Sequence, residues 1–301
     1  MKTYRKPLQK VASIRVSGPD HKGIIATITG YLFQKGLNIE DIDQQIRDNF
    51  LTMNMRVEYS SLSQDVELFR QGLQKVATSV GMEVEFRPWL EKARKKIALF
   101  VTHEAHCLEM LLAKIGSKDF PGNISLIVGN HPTLKKIAIA SKTPFFHIPS
   151  TNKRDHENQI LELLRKYPVD LIVLARYMQI LSPDFVFRYE GRIINIHPSL
   201  LPAFPGPRSY QQAFNKGVEV VGVTAHFVTT NLDEGPIICQ DSFRVDKTRD
   251  TLELMTAKGR ALEAKVLTQA VKLFLNDRLC LRRGKVLDRK KMRVVSFCEE
   301  E

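Results

Sequence analysis

Three side chains in two short stretches are the ones best suited to chemistry. Asn195 and His197 close the apolar run Ile193-Ile194-Asn195-Ile196-His197-Pro198. Residues two apart on a strand share a face, so these two point the same way, and Pro198 stops further pairing. The second stretch, Ala225-His226-Phe227-Val228-Thr229-Thr230-Asn231-Leu232-Asp233-Glu234-Gly235-Pro236, leaves a strand and makes a loop that carries Asp233. An amide donor, an imidazole and a carboxylate in one pocket suit attack on a carbonyl without a covalent intermediate. Asn195 and a protonated His197 would donate hydrogen bonds to a developing oxyanion. Asp233 would orient or deprotonate the nucleophile. Each residue alone has a plainer reading: Asn195 as a turn cap, His197 as structural, Asp233-Glu234-Gly235 as a turn. The joint pattern is what carries information.

These groups need a scaffold. Ile97–Val101, Ile124–Val128, Leu171–Leu174 and Ile193–Ile196 are nearly unbroken apolar runs, as in strands buried on both faces. Helical stretches lie between them at Cys107–Ile115, Pro132–Ser141 and Asn158–Lys166. The alternation predicts an α/β fold with a doubly wound, mostly parallel sheet. In such sheets ligands bind outside the carboxyl ends of the strands, where Asn195 and His197 fall. Val220–Val228 and Pro236–Val245 read as two more strands, for which antiparallel pairing is open, and Thr248–Leu275 as a long helix.

The first 90 residues read differently. Residues 10–17 alternate apolar and polar, and Gly18-Pro19 ends that strand. Asp20 stands where an N-cap belongs, ahead of Ile24, Ile25, Ile28, Tyr31 and Leu32 at helical spacing, with Gly36 as the C-cap. Strands follow at Asn38–Gln45 and Leu51–Tyr59, then a helix over 63–79 and a strand at Met82–Phe86. The order βαββαβ is ferredoxin-like. A basic stretch, residues 87–96 with the only tryptophan, Trp89, marks the boundary. The expected division is 1–90 for this module, 91–96 for a linker, 97–285 for the catalytic domain and 286–301 for a basic/acidic tail.

Three motifs carry a resemblance that covers roughly residues 97–276. Asn195-Ile196-His197-Pro198-Ser199-Leu200-Leu201-Pro202 resembles a signature of the 10-formyltetrahydrofolate-dependent formyltransferase family. Thr224–Val228 with Leu232–Ile238 resembles its second signature, and Leu174-Ala175-Arg176-Tyr177-Met178-Gln179-Ile180-Leu181 its folate-cradling loop. The resemblance implies catalytic roles for Asn195, His197 and Asp233. It implies substrate contacts for Tyr177, Met178, Ile180, Leu181, His226 and Gly235, partly through backbone.

Pro19-Asp20-His21-Lys22-Gly23-Ile24-Ile25 and Lys35-Gly36-Leu37-Asn38-Ile39 resemble an ACT domain. Such modules pair side by side and bind amino acids. That implies an effector site at Asp20, Gly23, Asn38 and Ile39, with glycine or methionine as candidates, and a homo-oligomer, dimer or tetramer. A ligand-free assembly module is the alternative. An ACT domain ahead of a formyltransferase-like domain is similar to the architecture of the formyltetrahydrofolate deformylase family. This implies hydrolysis of 10-formyltetrahydrofolate to tetrahydrofolate and formate, supplying purine synthesis and balancing one-carbon folate pools, with no cofactor.

The acceptor of the formyl group is the remaining choice. Relatives that formylate glycinamide ribonucleotide carry a Gly/Ser-rich phosphate cradle after the first strand. Residues 102–108 contain no glycine and carry His103 and His106, so water is the expected acceptor. Pro198 and Leu200 match the transferases instead, which keeps transfer to an amine as the alternative. A relative acting on methionyl-tRNA would need a further C-terminal domain, and 26 residues follow Leu275.

Composition excludes other classes. The 301 residues are 43% hydrophobic and 26% charged, which excludes general disorder. No apolar run nears the ~18–20 residues of a membrane span, and no signal-peptide core is present. Cys107, Cys239, Cys280 and Cys298 form no CxxC pair, as expected of a cytoplasmic protein, and Cys107 reads as packing. The net charge of +12 is spread: 12 basic and 10 acidic residues in 1–90, 25 and 18 in 91–276, 8 and 5 in 277–301. It reads as solvated surface that attracts an anionic folate polyglutamate, with no nucleic-acid or membrane partner. His131, His147 and His156 lack metal-ligand spacing and read as structural or surface residues, and no metal is expected.

Overall fold

Along β1 (Val11–Pro19), Ala12, Ile14 and Val16 are buried on one face and alternate with Ser13, Arg15 and Ser17. The computed structural model describes residues 10–47, 49–60, 62, 65–88, 94–282, 284–289 and 293–294. They belong to two compact units, Met1–Ala93 and Arg94–Glu301.

The first unit continues with α1 (Ile24–Gln34), β2 (Asn38–Arg47), β3 (Phe50–Glu58), α2 (Val66–Ser79) and β4 (Glu83–Pro88). Its antiparallel sheet has the order β2-β3-β1-β4. The inner residues of β1 and β3 pack against Ile28 and Leu32 of α1 and Phe69 and Leu73 of α2. The βαββαβ order is the expected one. Asp20 does not cap α1: Gly23, at φ 98°, occupies the cap without any side-chain bond, and the Asp20 amide donates to Asn49 O at 2.8 Å. The helix ends as expected at Gly36 (φ 74°), where Gly36 N–H donates to Phe33 O and Leu37 N–H to Leu32 O, satisfying the last carbonyls. Asp65 caps α2 by accepting from Glu67 N–H, so the helix begins at Val66; residues 63 and 64 of the expected span lie outside the described residues.

The second unit comprises β5 (Lys95–Val101), α3 (His106–Lys114), β6 (Gly122–Gly129), α4 (Lys135–Ala140), β7 (Phe145–His147), α5 (Lys153–Lys166), β8 (Leu171–Ala175) and α6 (Pro183–Arg188). It continues through β9 (Ile193–His197), α7 (Ser209–Asn215), β10 (Val220–Phe227), β11 (Ile237–Arg244) and α8 (Leu252–Leu275). Seven strands form one sheet in the order β11-β10-β9-β8-β5-β6-β7. Strands β5 to β9 run parallel, and β10 is antiparallel to both its neighbours. Both faces are covered: Ile97, Leu99 and Val101 share a core with α8, while Ala98 and Phe100 share one with α5.

Several boundaries differ from expectation. Strand β5 already begins at Lys95, inside the expected linker, and Lys95 Nζ holds the end of α8 through Phe274 O and Leu275 O. Helix α5 starts five residues early because Asn152 caps it, and α8 starts late because Thr251 does. The described part of the expected tail carries strand: β13 (Lys285–Asp288) and β14 (Arg293–Val294) form a small antiparallel sheet with β12 (Leu279–Arg282), and Val286 is buried in the main core. Trp89, Lys290, Lys291 and Cys298 lie outside the described residues. Among the described residues, no helix is long and apolar enough to cross a membrane.

Candidate active site

The antiparallel pairing of β9 and β10 sets Asn195 directly opposite His226. The Asn195 amide donates through Nδ2 to His226 Nε2 at 3.2 Å, and His226 Nδ1 donates to Phe227 O at 2.9 Å. These bonds require the neutral ring with its proton on Nδ1. Burial, the largest influence, holds the His226 pKa below 6.5 against the pull of the Phe227 carbonyl and Asp233. The ring fixes the Asn195 amide and leaves its second N–H for a ligand.

Asp233 is delivered by the loop after β10. Its backbone is left-handed (φ 58°), a conformation Asp tolerates better than most residues. The loop lies flat on the end of β10, because a β-carbon at Gly235 would come within 1.7 Å of Phe227 O. Asp233 Oδ2 accepts from Gly206 N–H at 3.0 Å and lies 3.3 Å from His197 Nδ1, while Oδ1 is 3.9 Å from His226 Nε2. Burial alone would raise this carboxyl's pKa. The His197 and Gly206 hydrogen bonds and the two imidazoles outweigh it, and the pKa falls below the ordinary 3.8.

His197 is buried, and its second nitrogen is also engaged. Nε2 is 3.0 Å from Phe204 O and 3.3 Å from Ser209 Oγ, whose hydroxyl donates to Gly206 O. The expectation that His197 donates straight to an oxyanion is therefore corrected: protein acceptors face both ring nitrogens, and its reactive neighbour is Asp233. The loop beyond β9 is held in place by Thr224, which donates to Ser199 O at 2.7 Å and accepts from Leu201 N–H at 3.0 Å. Leu200 packs against Gly222, where any β-carbon would meet its Cγ at 2.6 Å.

A cavity of ≈ 530 Å³ opens over this cluster. Asn195, His197, His226 and Asp233 line one side, and the loop of Tyr177, Met178, Ile180 and Leu181 lines another. Met178 and Ile180 are exposed at 55% and 63%, whereas Tyr177 and Leu181 are buried. The Tyr177 hydroxyl is turned inward onto His156 Nε2, and burial raises its pKa far above 10. Gly235 is corrected: it is buried under Phe227 and His226, outside the cavity lining, and serves to place Asp233. Ser209 and Arg208 (φ 57°) also line the cavity. Sequence reasoning missed both, since no spacing links them to the other site residues.

Behind the cavity, Glu263 of α8 is completely buried. It accepts from Tyr210 OH at 2.7 Å and His106 Nε2 at 3.2 Å, and Arg176 Nε lies 3.3 Å away. Burial would raise its pKa, but these partners hold it below 4.5. His106, Cys107 and Glu263 have metal-ligand spacing. The hydrogen-bond donors and the guanidinium around Glu263 make the group an ion-pair network instead. His103 stacks on His131 at 4.1 Å and contacts Thr133 Oγ1 at 3.0 Å.

In the first unit, Asp20 and Gly23 line an open cavity of ≈ 490 Å³ with Ile24, Ile25 and Ile46. Asn38 and Ile39 do not join them. Asn38 pairs with Glu58 at the end of the sheet remote from Pro19, which pairs with Phe50. The four expected effector residues thus lie at opposite ends of one sheet.

Comparison with known proteins gives a consistent picture. The family profile described as Formyl transferase matches residues 95–271, and that described as ACT domain matches residues 11–87. A formyltetrahydrofolate deformylase of Bacillus subtilis is 37% identical over 293 residues, covering 94% of this chain and 95% of its own. The crystal structure of a formyltetrahydrofolate deformylase from Pseudomonas syringae pv. tomato is 30% identical, with a TM-score of 0.64 over 94% of this chain and 95% of that one. Glycinamide ribonucleotide transformylase 1 from Symbiobacterium toebii aligns with a TM-score of 0.62 and 30% identity, covering 65% of this chain and 94% of that one.

Proposed function

The chain belongs to the formyltetrahydrofolate deformylase family, and from that premise we propose how its own residues carry out the reaction. It is a hydrolase that converts 10-formyltetrahydrofolate and water to tetrahydrofolate and formate, in one-carbon folate metabolism. The observation that carries the mechanism is the buried Asp233 carboxylate between two imidazoles and facing the cavity.

Asp233 takes a proton from a water as the water oxygen bonds to the formyl carbon. The free N–H of Asn195 donates to the carbonyl oxygen as it becomes an oxyanion. His226 stays neutral and holds that amide. The C–N10 bond then breaks, N10 takes a proton from the Asp233–His197 pair, and formic acid leaves and loses its own proton to solvent. No cofactor is needed for any of these steps. The loop at 177–181 faces the folate.

Water is the acceptor this site favours. His106 and Glu104, at the turn after β5, are tied to Glu263 and Arg260. Leu200, one of the two transferase-like positions, is packed on Gly222 away from the cavity lining. The test is formate release from 10-formyltetrahydrofolate with no amine present; strict dependence on glycinamide ribonucleotide would favour transfer instead.

The effector reading follows from the ACT unit. Asp20 and Gly23, at an uncapped helix start, suit an amino-acid carboxylate such as that of glycine or methionine. A site that also uses Asn38 and Ile39 needs a second copy, since one sheet holds the two pairs at opposite ends. We therefore assign a homo-oligomer, dimer or tetramer, working in the cytoplasm. A monomer by light scattering at micromolar concentration would contradict this.

A further inference from the structure

The cavity-lining loop Tyr177–Ser182 runs from β8 to α6 without helix or strand of its own. Its two ends are tied to adjacent residues of α5. The Tyr177 hydroxyl donates to His156 Nε2, and Ser182 N–H donates to Glu157 Oε1 at 2.7 Å. His156 Nδ1 donates to Pro149 O at 3.2 Å, which leaves Nε2 as the acceptor that Tyr177 needs. Both residues are buried, at 3% and 7% exposure. A third bond, Met178 N–H to Thr102 Oγ1 at 3.0 Å, ties the loop to the end of β5. Neither His156 nor Glu157 lines the cavity, so the mechanism above does not use them.

We propose that His156 and Glu157 are positioning residues, a two-point clamp that holds the loop in its binding conformation before substrate arrives. The proposal rests on the reading that this cavity takes 10-formyltetrahydrofolate. A loop held in advance loses little conformational freedom on binding, so releasing it weakens substrate binding more than chemistry.

The test compares Tyr177→Phe, Glu157→Ala and Glu157→Gln, each first checked for an unchanged Tm. Glu157→Ala and Tyr177→Phe should raise KM at least about fivefold with kcat within about twofold. Glu157→Gln keeps the acceptor for Ser182 N–H and should restore KM. Hydrogen exchange should show faster exchange at Ser182 in Glu157→Ala and at residues 177–178 in Tyr177→Phe, with Glu157→Gln protected. Unchanged KM, a loss confined to kcat, or unchanged protection in the first two variants overturns the clamp. The exchange measurement needs no turnover, so it separates failure of the clamp from failure of the substrate reading.

Discussion

Asp233 Oδ2 lies 3.3 Å from His197 Nδ1 and accepts the Gly206 amide hydrogen at 3.0 Å. The carboxylate is therefore held on one oxygen by two donors, while the other faces the second imidazole, His226, at 3.9 Å. An acid fixed in this way is ionised at neutral pH and ready to take a proton.

Replacing Asp233 by Asn should lower kcat by about 10²–10⁴ while affinity for tetrahydrofolate is kept. The folded carboxyl titrates below 3.8, the ordinary value. Its contribution to stability is thus fully present above that value and is lost as pH falls through the lower folded one. Acid unfolding of Asp233→Asn should lack this component; an acid titration identical to the wild type's would contradict the assignment.

Removal of one oxyanion donor by Asn195→Ala should cost about 2.7–4 kcal/mol in the barrier, read as a fall of kcat with little change in KM. An equal fall in affinity for 10-formyltetrahydrofolate would show instead that Asn195 binds the ground state.

His226 gives an acid limb. Its folded pKa is below 6.5, so the ring stays neutral in the folded protein where the unfolded chain already takes a proton. Its share of stability declines as pH falls from 6.5 towards the folded value. Protonation places N–H on Nε2 against the Asn195 amide, so kcat should drop as pH falls through the lower folded value, below the range in which stability declines. Persistence of that limb in His226→Gln would assign it to another group.

Gly235→Ala should cost about 1–3 kcal/mol of stability, since the new β-carbon meets the Phe227 carbonyl and backbone must shift. The same shift displaces Asp233, so kcat should fall with Tm. A variant with wild-type kcat would separate the glycine from the acid's placement.

Glu263→Ala removes a completely buried carboxylate and leaves Arg176 and His106 facing an apolar void. The expected loss is about 3–5 kcal/mol by denaturant unfolding. Because the folded pKa is below 4.5, the Glu263 contribution is present above that value and fades in acid.

Long periodic elements were legible in the chain. Strands β5, β6, β8 and β9 are apolar on both faces, and α8 is long enough to show its period. Short elements were not: β7 has three residues and α6 only six, too few for a repeat to stand out. The tail hid its strands because β12 to β14 mix charged and apolar residues; Val286 is buried in the main core and Leu279 and Leu281 are only partly buried against it. In the active site, two-residue spacing was enough to pair Asn195 with His197. It did not reveal that the other ring nitrogen of His197 is engaged by the Phe204 carbonyl and Ser209, brought close by a folded loop. Gly235 looked like a substrate contact because it sits inside the motif; its role is steric and needs Phe227 opposite it. His156 had no spacing partner in sequence, since Tyr177 reaches it only across the fold.

The most direct test follows the attacking oxygen. In water labelled with the heavy oxygen isotope, with no amine acceptor, the wild type should release formate carrying one labelled oxygen, and Asp233→Asn should release almost none. Formate without the label, or undiminished release from Asp233→Asn, would contradict hydrolysis by a water that Asp233 activates.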